Sequence, residues 1–178
     1  GYQLSIYIQP DSGFRAFNRI ENLSAHFPLQ DVFINPNIEA ETAMQLRSQL
    51  EPGTNIHQLT KNQTVQLMDA ITLETIAVRD ETAAFLLEFG DLRILMPNTV
   101  THSILSQLRP DALQGTTVLI LNAGQFNNNE LSVWINHPAQ TLLVNGEILD
   151  CPFCISTAEH QHIHLRSDGV GLWLDGIE

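Results

Sequence analysis

Cys151–Pro152–Phe153–Cys154 is followed closely by His160, His162 and His164. Thiolate and imidazole are the donors zinc prefers, so a C-x2-C pair with alternating histidines behind it has the composition of a zinc site. On a strand, the three histidines project from one face. Strong zinc signatures close two separated paired motifs on the ion, and this tail has one. The weightier reading is that Cys151 and Cys154 are structural and the histidines form the solvated face of a strand. The alternative is a zinc site built from Cys151, Cys154, His160 and His162. CPFC also has the spacing of a dithiol redox motif, but that chemistry uses a first cysteine at a helix start, and ISTAEH is a poor helix former. Two cysteines in 178 residues exclude a disulfide framework.

A second place for chemistry is set by the chain around it. Phe85 to Gly124 reads as strand, tight turn, strand, short helix and strand. FLLEFGDLRILMPNT holds two apolar runs joined by Gly90–Asp91, a dipeptide that tolerates the backbone angles of a hairpin turn. SILSQL is a short amphipathic helix stopped at Arg109–Pro110. TTVLILNAG is a continuous apolar and β-branched run suited to a strand buried on both faces. The loop after Ile120 is therefore where a site is expected. No G-x-S-x-G elbow supports a serine nucleophile, and no glycine-rich turn has the spacing that cradles phosphate.

The elements that position these loops follow from periodicity. QLSIYIQ alternates as a strand and ends at Pro10–Asp11–Ser12–Gly13. FRAFNRIENLSAHF places Phe14, Phe17, Ile20, Leu23 and Phe27 on one helical face. DVFIN is a short buried strand, and Pro36–Asn37 opens the helix EAETAMQLRSQL, with acids in its first turn and Arg47 in its last, as the helix dipole favours. NIHQLTKNQTVQLMDAITLETIAV reads as three strands turning at Lys61–Asn62 and Asp69–Ala70. A polar loop and helix follow Gly124, TLLVN is a strand, and RSDGVGLWLDG is a terminal hairpin. Strand-helix alternation followed by a meander is the pattern of a mixed sheet covered by helices in a single α/β domain, residues 1–178.

Composition narrows the partners. Twenty acids against 8 Lys and Arg give a formal charge of −12, and phosphate binding scales with cationic contacts, so no strong direct nucleic-acid binding by this piece is expected. No apolar run approaches the roughly 18 residues of a membrane span.

The order of these segments resembles the metallo-β-lactamase-like domain at the C-terminus of ComEC-type competence proteins, the DNA-uptake channels of bacteria. LLEFGDLRILMPNT is similar to the family's strand-turn-strand ending in "iLLTGD", and TTVLILNAG is similar to "adVLkvgHHG". IYIQPDSGFRAF stands where the family carries "lsHpdaDHiGGl", its principal metal motif. The resemblance implies an αββα fold lacking the family domain's first strands. It also implies that Gln9, Asp11, Asn98 and Asn122 occupy vestigial site positions. Gln9 replaces a histidine, Pro97–Asn98 stands for Gly-Asp, and Asn122–Ala123–Gly124 stands for His-His-Gly. Amides do not replace imidazole and carboxylate around zinc, so no metal, no cofactor and no catalytic residue is expected. The implied role is a non-catalytic structural or interaction module, a soluble domain tethered to the bacterial membrane through a channel portion of the same polypeptide. Two alternatives stand beside it: a metal-dependent hydrolase or nuclease with rearranged ligands, and a stand-alone protein unrelated to DNA. If the first strands are missing, a sheet edge is left open and a homodimer through that edge is expected.

Overall fold

The computed structural model describes residues 6–9, 29–79, 82–98, 115–122, 141–145, 154–156 and 163–177. Strand β1 (Ile6–Gln9), β2 (Asp31–Ile34) and β3 (Asn55–Gln58) form a parallel three-stranded sheet with β2 at its centre. Between β2 and β3 runs helix α1 (Ala40–Gln49). The run Val32–Phe33–Ile34 is apolar at every position because β2 is covered on both faces. Val32 and Ile34 pack with Leu29, Ile38, Leu46 and Leu50, where α1 lies. Phe33 packs instead with Leu59, Leu73, Ala83 and Phe85, which belong to the next sheet and its approach. Helix, small sheet and large sheet are thus stacked in layers, each burying one face of its neighbour.

Helix α1 starts and stops as expected. Asn35, itself fully buried, accepts the Asn37 N–H on Oδ1 at 2.7 Å and so shapes the entry turn. Glu41 lies in the first turn and Arg47 in the last. The Arg47 guanidinium donates to the Thr54 carbonyl, tying the helix end to the entry of β3.

The larger sheet has seven strands: β4 (Thr64–Met68), β5 (Ile71–Arg79), β6 (Thr82–Phe89), β7 (Leu92–Asn98), β8 (Val118–Asn122), β9 (Thr141–Asn145) and β10 (Cys154–Ser156). Their spatial order is β10-β9-β8-β7-β6-β5-β4. From β4 to β7 the pairing is antiparallel, and from β7 to β10 it is parallel. The mixed sheet read from sequence is therefore this one, with β7 as the strand where the two modes meet. Val118, Leu119 and Leu121 are buried, in agreement with a strand covered on both sides.

Strands β11 (Ile163–Ser167) and β12 (Leu172–Ile177) form a separate antiparallel hairpin. Its turn docks on the β6–β7 turn. Gly90 has φ +59 and lies so close to the Gly169 carbonyl that a Cβ would overlap it, and the Asp91 N–H donates to that same carbonyl at 2.6 Å. Only glycine meets both demands at position 90. Leu165 and Leu172 add to the cluster of Leu92, Val118, Ile94, Ile120 and Ile155, which seals the hairpin against the sheet.

The expected helices at Phe14–Phe27, at Ser103–Leu108 and after Gly124 lie outside the described residues. Among the described residues no helix is long and apolar enough to cross a membrane.

Candidate functional site

Parallel strands end together, and their carboxyl ends are where open α/β sheets bind ligands. Three strands of the large sheet finish on asparagine: β7 on Asn98, β8 on Asn122 and β9 on Asn145. The register aligns them, Asn98 opposite Leu121 and Asn122 opposite Asn145. In the small sheet Gln9 ends β1, in line with Ile34 and with Gln58 at the end of β3. Three of the four positions read from sequence are therefore strand-terminal, while Asp11 lies outside the described residues. Asn145 was missed by the sequence reading. Its signal was available, because LMPN, LILN and LLVN are three apolar runs with the same ending. Amides are neutral donors and acceptors, suited to hydrogen bonding and poorly suited to zinc. Among the described residues no three His, Cys, Asp or Glu side chains come together as a metal site.

A second polar constellation sits nearer the amino ends of the small sheet. Parallel register sets Asp31 opposite Asn55 and Phe33 opposite His57, and a period of two puts all four on one face. Asp31 Oδ1 accepts from Asn55 Nδ2 at 3.2 Å and from His57 Nε2 at 2.6 Å. The imidazole stacks on Phe33, centroids 4.6 Å apart and planes 14° from parallel. A carboxylate only accepts, so the proton of a neutral His57 is assigned to Nε2, leaving the Nδ1 lone pair. His57 is 37% exposed and shares with Arg47, Thr54, Asn55 and Ile56 a depression of about 390 Å³. A carboxylate-oriented imidazole is one part of a general-base site. A nucleophile or a metal would have to complete it. What the described contacts accomplish is mechanical: they fasten β3 to β2. Nothing in the sequence pointed to this pair, since its members meet only through the parallel register.

Only part of the tail falls within the described residues. Cys154 is disulfide-bonded, among the described residues no cysteine is free, and Cys151 lies outside the described residues. A disulfide sulfur is not a thiolate, so in this state the tail does not offer the thiolate pair that the zinc alternative needs. Cys154 opens a strand and not a helix. His160 and His162 lie outside the described residues, and β11 begins only at Ile163. Arg166 lies 6.0 Å over the Trp173 ring, directly across the hairpin. At the hairpin tip Asp168 Oδ1 accepts the N–H groups of Gly171 at 2.8 Å and Val170 at 3.0 Å. Those bonds, Gly171 first, hold its carboxyl below the usual carboxylate range.

Several described cations are already engaged. Arg93 Nε donates to Glu88 at 3.0 Å, Arg47 donates to the Thr54 carbonyl, and Arg166 faces Trp173.

No protein-family model matches the chain, and no curated protein matches it. Among solved structures it is similar to zinc-bound PqqB from Methylobacterium extorquens, with a TM-score of 0.55 and 11% identity over 79% of this chain. The matched part is 61% of that PqqB chain, so this chain spans less than two thirds of its length. It also aligns with a protein from Parabacteroides distasonis assigned as a metal-dependent hydrolase, at TM-score 0.41 and 12% identity, covering 78% of this chain and 83% of the other. At such identity the likeness is one of fold. The fold is α/β and metallo-β-lactamase-like, as the resemblance implied.

Proposed function

We propose that this chain is a metallo-β-lactamase-like domain kept as a non-catalytic structural or interaction module of a ComEC-like membrane protein that imports DNA. The observation that carries the reading is the chemistry at the strand ends. Gln9, Asn98 and Asn122 stand where the resembling family has histidine and aspartate, and Asn145 adjoins them in register. Hydrolysis on this fold uses metal ions to generate hydroxide and to stabilise the leaving oxygen. An amide row supplies neither the charge nor the basicity to hold them. The acidic balance, 20 acids against 8 Lys and Arg, argues against a phosphate-binding groove in this piece. In this reading the channel portion of the same polypeptide handles DNA, and a second copy meeting an outer strand of the small sheet, which pairs on one side only among the described residues, is the proposed homodimer contact.

The test is incubation of single- and double-stranded DNA with the protein and Mn²⁺ or Zn²⁺ at low salt. No turnover is expected, and no binding tighter than micromolar. Cleavage abolished by a chelator favours the hydrolase reading with rearranged ligands. Tight binding with a steep salt slope overturns the view that this piece leaves DNA to its partner.

A further inference from the structure

The outer flank of β3 fixes how another strand can pair there. Asn55 N–H donates to the Gln30 carbonyl at 2.9 Å and Leu59 N–H to the Ile34 carbonyl at 3.5 Å, so these residues turn their amides toward β2. Backbone groups alternate sides along a strand, and the N–H and C=O of Ile56 and Gln58 therefore point away from β2. Among the described residues no strand pairs with that side. The outward carbonyl before them, that of Thr54, is taken by Arg47. The outward N–H after them, that of Thr60, donates to Gln63 Oε1 at 2.8 Å. Ile56 and Gln58 are thus the open stretch. Asn55 and Gln58 are exposed and His57 is 37% exposed, so solvent reaches this edge. The depression of about 390 Å³ bordered by Arg47, Thr54, Asn55, Ile56 and His57 gives an incoming strand room. Guarded edges carry Lys, Pro, an inward charge or a bulge. Asn55 to Leu59 holds no Lys, Arg, Asp, Glu or Pro, and β3 keeps unbroken register on β2. In a chain of formal charge −12 this is a stretch where two copies can meet without like charges directly opposed.

We propose, resting on the homodimer contact of the proposed function, that a second copy of this chain lays its own β3 antiparallel against this one, with His57 on the twofold axis. Ile56 of each copy then faces Gln58 of the other, and each such pair exchanges both backbone hydrogen bonds. This register satisfies every open group in both copies. An axis through Ile56 would set Gln58 against Thr54, whose carbonyl Arg47 already holds. An axis through Gln58 would set Ile56 against Thr60, whose N–H is already given to Gln63. A closed twofold contact of this kind uses one patch on both copies and stops at a dimer. The two His57 residues become a directly opposed pair without hydrogen bonds, their Cβ atoms about 4.5–5.5 Å apart. The pairing is short and buries less than the roughly 1,200 Å² of stable complexes, so the dissociation constant is expected on the order of tens of micromolar.

Sedimentation velocity over a rising concentration series reads the association, and a shift from monomer to dimer is expected. Gln58→Pro takes an outward N–H from each copy and leaves the bonds to β2 in place. It is expected to weaken the dimer about tenfold or more, with the far-ultraviolet circular dichroism unchanged. Cysteine cross-linking reads the register without touching the backbone of the edge. On mild oxidation His57→Cys is expected to link two copies through position 57, since directly opposed residues lie within disulfide reach. Gln58→Cys is expected to give no such link, because its two copies sit diagonally across the axis. Mass spectrometry of the joined peptides assigns each link. A dimer that folded Gln58→Pro leaves intact, or one that links through position 58 and not 57, overturns this inference alone. A chain that stays monomeric throughout overturns it together with the homodimer contact, while the metal and DNA measurements decide the non-catalytic reading separately.

Discussion

At the scale of single residues, two turns carry more than their share of the structure. Gly90 combines a positive φ with contact on the Gly169 carbonyl, so a methyl group there meets both backbone strain and overlap. Gly53 has φ +107 with nothing within 4 Å of its absent Cβ, so it isolates the strain alone. Gly90→Ala is expected to cost about 2 kcal/mol or more, and Gly53→Ala about 1 kcal/mol. Urea denaturation midpoints check this, and an equal cost at both sites contradicts the docking of the two turns. Asp168 gives a pH signature. Its carboxyl is lowered by the Gly171 and Val170 N–H groups, so its contribution is present above the ordinary carboxylate range and is lost as pH falls through the depressed folded value. A carboxyl titration by NMR is expected to place its midpoint below that of an unperturbed aspartate, with the Gly171 amide shift following it. Asp168→Asn should remove the titration and leave an acceptor in place. A midpoint at or above the ordinary value contradicts the bonding at the hairpin tip.

Among the elements, β3 depends on the pair that crosses to β2. Removing Asp31 leaves His57 Nε2 without its acceptor, and removing His57 leaves Asp31 with only the longer bond from Asn55, so each of Asp31→Ala and His57→Ala is expected to cost about 1 kcal/mol. The double variant should cost little more than Asp31→Ala alone, because the His57–Asp31 bond is already lost in that single variant. A double-mutant cycle by chemical denaturation checks this, and strictly additive losses show that the two side chains act separately. The elements themselves were largely legible. DVFI, TVQLM, the two runs around Gly90–Asp91 and VLILN have the period or continuity of strands, and α1 had its turn-forming entry, acidic first turn and basic last turn. Strand β10 was not legible, because three residues give no period to read. The Asp31–His57 bond and the Gly90–Gly169 contact were hidden for a different reason. Each is made by tertiary register between segments far apart in sequence, which local patterns do not encode. The strand-end positions were readable at Gln9, Asn98 and Asn122 through motif order, while Asn145 required the β8–β9 register to show that it lies beside Asn122.

For the whole molecule, fold and chemistry point in different directions. The layered α/β arrangement is the one that elsewhere carries zinc, as in the PqqB structure, but a fold does not bring its function with it; function belongs to the side chains of a site. Here β7, β8 and β9 finish on asparagine, and the formal charge is −12. The measurement that tests this most directly is metal content. The chain, its disulfide intact, is equilibrated with Zn²⁺ and Mn²⁺, freed of unbound ions by gel filtration, and analysed for metal by elemental analysis. Well under one ion per chain is expected, unchanged in Asp11→Ala. About two ions per chain, lost on Asp11→Ala, would be the dinuclear centre of an active metal-dependent hydrolase and would contradict the non-catalytic reading.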